Sequence, residues 1–362
     1  MGSQIGKILS VTTFGESHGQ GVGVVIEGVP AGLRLDASKI QSFLDRRRPG
    51  QSPITSPRNE LDRFEYLSGI EDNVTLGSPL TIYVRNHDQK PSEYSDLNQV
   101  YRPSHADFTT LQKFGVKAKS GGGRASARET IGRVAAGAIA EQILAHYLPE
   151  ARIVAWVHSV ATITCNVTDI EKIERYAVES SMIRTADPNA EKDMLQVINS
   201  AMQDHDSVGG IIRCVISGIP PGLGEPVFDK LEAELAKAML SLPATKGFEI
   251  GSGFLGTTLS GSQHNDIFIN KGQKIGTLSN NSGGIQGGIS NGECIDFKVA
   301  FKPVATIAKS QPSLTVDGIP VVLEPKTGRH DPCVLPRAVP MVEAMAAIII
   351  ADHYMRNMFS KI

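Results

Sequence analysis

"VIEGVPAGL" at 25–33 and "VISGIPPGL" at 215–223 agree at six of nine positions. Each is an apolar run closed by a Gly-Pro turn. Each then enters a helix-like stretch, "DASKIQSFLDRR" after the first and "PVFDKLEAELAKAML" after the second. The register extends upstream at the same offset, where Glu16-Ser17-x-Gly19 faces Asp206-Ser207-x-Gly209. A weaker echo follows. Gly-Arg at 123–124 leads into an Ala-rich helix ending His-Tyr at 146–147, and Gly-Arg at 328–329 leads into another ending His-Tyr at 353–354. Two echoes in the same order point to an internal duplication. The expected fold is α/β (α+β), a duplicated β-α-β sandwich with pseudo-twofold symmetry and helices packed between antiparallel sheets. Residues 1–362 are read as a single domain with halves at about 1–150 and 205–357. Long helices are expected at about 126–148, 226–241 and 338–357.

A chain of 362 residues, 41% hydrophobic and 20% charged, suits a folded protein with a substantial core. Its 36 Lys and Arg against 38 Asp and Glu leave a net charge of −2, so no global basic field draws in nucleic acid. Any anion site must come from local clustering. Cys165, Cys214, Cys294 and Cys333 form no C-x-x-C pair, which argues against structural zinc and a disulfide framework and fits a reducing cytoplasm. "MGSQIGKILS" lacks the apolar region of a signal peptide, and Gly6 breaks a myristoylation pattern. "AMAAIIIA" at 344–351 is too short to span a bilayer and reads as part of a buried helix behind Glu343.

Five loops shaped by Gly or Pro carry the chemistry, four of them bearing arginine. "VTTFGESHGQGVG" (11–23) sets Glu16, Ser17 and His18 between glycines; the hydroxyl running straight into an imidazole is read against a serine-hydrolase elbow. "SGGGRASARETIGR" (120–133) reads as a capping box, Ser126-x-x-Glu129, behind three glycines. Amides at such a helix start favour an anion, and Arg124, Arg128 and Arg133 surround it. "LDRRRPGQS" (44–52) ends a helix with Arg46, Arg47 and Arg48, more basic residues than one helix end needs. "YRPSHADFT" (101–109) holds Arg102 and His105, and "GRHDPCVLPRAVP" (328–340) holds His330, Asp331 and Arg337. Guanidinium forks suit carboxylates and phosphates, and imidazoles suit proton transfer. The residues thus describe a site for a phosphorylated, multiply anionic small molecule. Neither H-x-x-x-H spacing nor an acidic pair suggests a metal.

"TTFGESHG", "DRRRPGQS", "RPSHAD", "GGGR-x-SARET", "GLGEPVFDKL", "GGIQGGISNG" and "GRHDPCVLPRAVPMVEAM", in this order from Ile5 to about Tyr354, resemble the signatures of the chorismate synthase family. The resemblance implies a lyase of the shikimate pathway, in aromatic amino-acid biosynthesis. Such an enzyme converts 5-enolpyruvylshikimate 3-phosphate to chorismate by anti-1,4 loss of phosphate and the C6 proton, using reduced FMN without net redox change. Carried onto this chain, His18 is the acid for the leaving phosphate, His105 balances charge near flavin N1, and Asp331 takes the proton from N5. Flavin contacts fall at Arg124, Ala125, Ser126, Pro243, Ala244, Gly287, Lys302, Pro303, Val304, Ala305, Thr306 and Arg329. Arg47, Arg48, Arg102, Arg128, Arg133 and Arg337 are the candidates for substrate phosphate and carboxylates, with Ser17 ordering the His18 loop.

Against the common family pattern, Ala125 replaces a serine, "KPVAT" (302–306) stands for "KPTSS", and a basic residue some members carry after "RRRPG" gives way near Pro53. That last change weakens an NADP contact. No G-x-G-x-x-G follows a strand with a downstream acid, so NADPH enters only as an indirect reductant and an external flavin reductase is the expected partner. A cytoplasmic homotetramer is the family expectation. The rival readings are a flavin-free phosphate-handling transferase of the same pathway and an RNA-binding protein. The second needs aromatics among its basic loops, and aromatics are only 6% of the chain.

Overall fold

The computed structural model describes residues 2–52, 54–55, 60–87, 99–116, 122–324 and 331–361. The first unit runs β1 (Gln4–Ile5), β2 (Ser10–Gly15), β3 (Gly21–Glu27), α1 (Ala37–Arg47), β4 (Phe64–Ser68), the small hairpin β5 (Ile70–Glu71) and β6 (Val74–Thr75), β7 (Leu80–Arg85), α2 (Asp107–Phe114) and α3 (Thr130–Tyr147). Its five-stranded sheet has the order β1-β2-β3-β7-β4, antiparallel throughout. Along β7 every second residue is buried (Leu80, Ile82, Val84), and Val22, Val24 and Ile26 of β3 are buried beside them, so one face packs on the core.

The second unit runs β8 (Arg152–Val160), β9 (Ile163–Thr164), α4 (Arg175–Ser180), α5 (Pro188–Gln203), β10 (Gly210–Ser217), α6 (Leu231–Leu240), β11 (Thr245–Ile250) and α7 (Gly261–His264). The hairpins β12 (Phe268–Lys271) with β13 (Lys274–Thr277) and β14 (Ile285–Gln286) with β15 (Ile289–Ser290) come next. β16 (Ile295–Phe301), the hairpin β17 (Gln311–Leu314) with β18 (Pro320–Leu323), and α8 (Leu335–Asn357) close the chain. Its antiparallel sheet has the order β11-β16-β10-β8-β9. Helices α1, α3, α6 and α8 pack between the two sheets.

Strands β2-β3-β7-β4 of one sheet thus match β8-β10-β16-β11 of the other. Behind β3 and β10 the chain turns at Gly28 (φ +80°) and Gly218 (φ +71°), a left-handed backbone that glycine adopts without penalty. The turns deliver α1 and α6, and α3 and α8 close the units. At the α3–α8 contact the rings of Tyr147 and Tyr354 lie 5.7 Å apart, and a Cβ on Gly137 would stand 2.3 Å from that of Ala344. Both pairs are 207 positions apart in the chain, as residues related by a pseudo-twofold axis between the helices would be. This symmetry supports the duplication. The second unit, however, starts at Arg152 and not at 205, because β8 is the counterpart of β2; α4 and α5 are inserted between β8 and β10 and pack on β8, where Trp156 is buried.

α8 is buried around its whole circumference, so "AMAAIIIA" lies in the core. Glu343, 0% exposed, is neutralised there: Arg46 approaches at 2.7 Å and Arg175 at 3.4 Å, and the Ala155 amide donates at 3.0 Å. Burial works against that carboxylate, but Arg175 and Arg46 outweigh it and hold its pKa below the usual value. Helix boundaries depart from expectation in three places, α8 starting at Leu335 and not at 338. α6 starts at Leu231 and not at 226, because the Glu225 amide bonds the Asp229 carbonyl (3.1 Å) and Asp229 pairs with Lys7 and Arg356. Ser126 caps a 3-10 turn, Ala127–Glu129, and α3 begins at Thr130. The capping box is absent: Ser126 Oγ accepts from the Arg128 amide (3.3 Å), while the Glu129 side chain turns to Thr13 and Arg133.

Candidate functional site

Seven separate stretches converge on one cavity of about 490 Å³. They are the β2–β3 turn, the end of α1, residues 102–106, residues 122–133, the turn after α6, the segment after β16, and the start of α8. The β2–β3 turn is tight: at Gly15 (φ +87°) a Cβ would lie 2.2 Å from the Gly21 carbonyl oxygen. Asn86 Nδ2 ties the turn down through the carbonyls of Glu16 (3.0 Å) and Gly19 (2.7 Å). Ser17 Oγ, buried beneath, sits 3.0 Å from His18 Nδ1 and orients the imidazole into the cavity wall. Although Gly15-Glu16-Ser17-His18-Gly19 spells G-x-S-x-G, it joins two antiparallel strands and its serine is buried. A nucleophile elbow joins a strand to a helix and exposes the serine. The serine-hydrolase reading therefore falls on geometry, not on the Ser-His adjacency.

On the 102–107 turn, Asp107 receives Arg102 through Nε (2.7 Å) and Nη2 (2.8 Å) and lies 3.0 Å from His105 Nδ1. Burial opposes the Asp107 charge, but the hydrogen bonds from Arg102 and His105 prevail and hold its carboxyl far below the usual carboxylate range. An ionised carboxylate only accepts, so Nδ1 of His105 carries a proton. Across the cavity Arg337 Nη1 donates to Asp331 Oδ2 at 2.5 Å, and its Nε to the Arg47 carbonyl at 3.1 Å. Arg47 is fully buried, and that burial pushes its pKa down to about 10.

Arg124 reaches back to Thr13 Oγ1 (2.8 Å) and the Thr13 carbonyl (3.1 Å), and Glu129 accepts from Arg133 Nε at 2.9 Å. Ala244, at φ +68°, offers its carbonyl to the Lys302 amide at 2.9 Å and so locks two cavity segments together. Burial, with Lys246 nearby, lowers the pKa of Lys302. Among the described residues each of the six cavity arginines has a carboxylate within 4 Å: Arg47 with Asp62, Arg102 with Asp107, Arg124 and Arg133 with Glu129, Arg128 with Glu60 and Asp62, and Arg337 with Asp331. With Lys302, seven cations face five carboxylates, an excess of two positive charges before either imidazole counts. The pairing holds the guanidiniums in place, and the excess makes the hollow attractive to anions.

Of the sequence-predicted residues, His18, His105, Asp331, Arg124, Ala125, Ser126, Pro243, Ala244, Lys302, Val304, Ala305, Thr306, Arg47, Arg102, Arg128, Arg133 and Arg337 line the cavity. Ser17 supports His18 from below. Arg48 caps α1 and does not line the cavity, because successive helical residues point in different directions and Arg46 is drawn to Glu179 and Glu343. Pro303 lies in a lining segment without facing it, and Gly287 (φ +62°) sits in the two-residue turn of β14–β15, outside the lining. Arg329 lies outside the described residues. Sequence reasoning missed Glu129 as a wall residue and Asp62, Asn86 and Asp107 beneath it. Asp107 had a signal, two places after His105 in a quoted motif, and Glu129 stood in another but was read as half of a capping box. No cluster of three or more His, Cys, Asp or Glu suited to a metal occurs among the described residues.

A paired-sheet sandwich whose loops close a cationic, imidazole-bearing hollow defines an enzyme acting on small, multiply anionic molecules. The chorismate synthase family pattern matches residues 9–355. Chorismate synthase of Prochlorococcus marinus strain MIT 9312 is 56% identical over 359 residues, covering 99% of this chain and 98% of that protein. The one from Prochlorococcus marinus subsp. pastoris strain CCMP1986 / NIES-2087 / MED4 is 57% identical over 355 residues, 98% and 97% of the two chains. A crystal structure of chorismate synthase superposes with a TM-score of 0.75 at 28% identity, over 97% of this chain and 93% of the other. The chain belongs to the chorismate synthase family.

Proposed function

We propose that this cavity performs the family's lyase reaction, the anti-1,4-elimination of phosphate and the C6 proton from 5-enolpyruvylshikimate 3-phosphate to give chorismate. The observation that carries the reading is the convergence of His18, His105, Asp331 and six paired guanidiniums on one hollow. The donor set also suits reduced FMN. Ala125, Pro243, Ala244, Val304 and Ala305 offer an apolar wall for a planar ring, and Arg124 and Lys302 offer cations for its anionic parts. When bound, the reduced flavin supplies electron density that a side-chain base lacks against a weakly acidic C–H.

The chain's own residues do the rest. His18, oriented by Ser17, donates a proton to the departing phosphate. Asp331, fixed by Arg337, takes up the proton released from C6. His105 supplies compensating charge while Asp107 fixes its ring. Arg102, Arg128, Arg133, Arg47 and Arg337 receive the phosphate and carboxylates, and the enclosing turns exclude water. An external reductase, rather than the chain's own use of NADPH, supplies the reduced flavin. Exposed Phe228, Phe254 and Ile275 support self-association into the homotetramer the family implies. Four free cysteines support a cytoplasmic setting, and no helix among the described residues is long and apolar enough to cross a membrane. The test is anaerobic incubation with 5-enolpyruvylshikimate 3-phosphate, FMN and dithionite, following chorismate absorbance and phosphate release. Turnover that requires reduced FMN is expected; turnover without flavin would overturn the reading in favour of a flavin-free phosphate-handling enzyme.

A further inference from the structure

The cavity guanidiniums rest on a deeper layer of carboxylates, and one of these joins two of them. Asp62 is 2% exposed; its Oδ2 accepts from Arg47 Nη2 at 2.8 Å and its Oδ1 from Arg128 Nη1 at 2.9 Å. Both arginines line the cavity, yet their side chains are only 0% and 3% exposed. Arg47 is further held by the Ala127 carbonyl (3.1 Å), and its buried Nε has no hydrogen-bond partner among the described residues. A buried donor left unmatched on a cavity-lining fork points to an acceptor that arrives with a ligand. Arg128 Nε in turn donates to Asn86 Oδ1, and Asn86 holds the turn that carries His18. The backbone of Asp62 adopts φ +46°, a left-handed conformation uncommon outside glycine and best tolerated by Asp and Asn. Such strain persists where the surroundings over-determine a residue, often at sites of function.

We propose that Asp62 is a positioning residue that sets the separation and tilt of Arg47 and Arg128 so that together they clamp one oxyanion of the substrate. The inference rests on the reading of the cavity as a site for a phosphorylated substrate. Electrostatics and geometry here predict opposite signs. Removing the carboxylate adds one positive charge to the hollow, so the field alone would tighten anion binding. Loss of the clamp geometry would weaken it.

The experiment compares the wild-type chain with Asp62→Asn, which keeps the volume and tolerates the backbone. Apparent affinities for inorganic phosphate and for pyruvate, which stand in for the phosphate and the two carboxylates of the substrate, are read from thermal shifts. This readout does not depend on turnover, so it survives failure of the assigned reaction. In a second arm, steady-state kinetics with reduced FMN separates KM from kcat. Expected is phosphate or pyruvate affinity at least about tenfold weaker, with KM raised more than kcat is lowered. The affected probe names the anion clamped. Unchanged or tighter binding of both would overturn the proposal. If Asp62→Asn does not fold, Asp62→Glu decides: it keeps the charge but shifts the carboxylate by one methylene, and weaker binding is again expected. Wild-type binding by Asp62→Glu, or failure of both variants to fold, would assign the carboxylate to folding and overturn the proposal.

Discussion

Asp107→Asn is the substitution that exposes most of the site's logic at once. The carboxylate takes two hydrogen bonds from Arg102, at 2.7 and 2.8 Å, and lies 3.0 Å from His105 Nδ1. Asparagine keeps one acceptor oxygen and turns a donor toward the other partner, so at least one charge-assisted bond is lost and Arg102, 8% exposed, keeps an uncompensated charge. With charge centres about 4 Å apart at an effective dielectric near 20, the attraction removed is about 4 kcal/mol. Removing one partner of a buried pair costs about 3–5 kcal/mol, and the residual exposure favours the lower end. We therefore expect urea unfolding at 25 °C to show about 3 kcal/mol less stability at pH 7. If Arg102 and His105 shift with the change, kcat/KM with reduced FMN falls by about 10²-fold, since about 1.4 kcal/mol is a factor of ten. The sign with pH is fixed. The Asp107 pKa is lowered in the folded state, so its contribution is fully present above the unfolded value of about 3.9 and fades as pH falls through the folded one. The gap between wild type and variant should stay level from pH 7 to 5 and narrow only at strongly acidic pH. A variant within about 0.5 kcal/mol of wild type at pH 7, with normal kcat/KM, would refute the reasoning.

His18→Ala and His105→Ala should each lower turnover by about 10²-fold or more while leaving unfolding free energies near wild type; normal rates in both would remove the imidazoles from the mechanism. His353, 1% exposed and without a hydrogen-bond partner for either ring nitrogen among the described residues, has its pKa pushed down to about 4, first by burial. The unfolded state then binds more protons between about pH 6.5 and 4, so His353 costs stability as pH falls through that window. His353→Leu should leave stability at pH 7 unchanged or improved and flatten the pH 6.5–4 slope of denaturation midpoints; an unchanged slope would contradict the assignment.

Much of the fold was legible because the duplication left the same turn chemistry in both halves. The Gly-Pro turns after β3 and β10 and the His-Tyr pairs near the C-termini of α3 and α8 are backbone and packing requirements, and such requirements write themselves into local sequence. The start of the second unit was not legible, because α4 and α5 separate β8 from the turn motif that marks the repeat. The capping box failed because Glu129 turns to Arg133 and Thr13, while the Ser126 amide donates to the Gly123 carbonyl at 3.4 Å. The cavity walls were readable wherever arginine and histidine stand beside Gly or Pro. Their carboxylate partners were not. Asp62 lies in "NELDRF", a stretch with no turn or spacing signal, and its role exists only once Arg47 and Arg128 arrive from other elements.

That a flavin and a phosphorylated substrate share this one hollow is tested most directly by the visible spectrum of protein-bound FMN during titration with 5-enolpyruvylshikimate 3-phosphate. If both occupy the cavity between Ala244 and His105, the spectrum must shift as the substrate binds, and the apparent FMN affinity must change by the same factor as the substrate's. An FMN spectrum and affinity indifferent to saturating substrate would place the two molecules in separate sites and contradict the account.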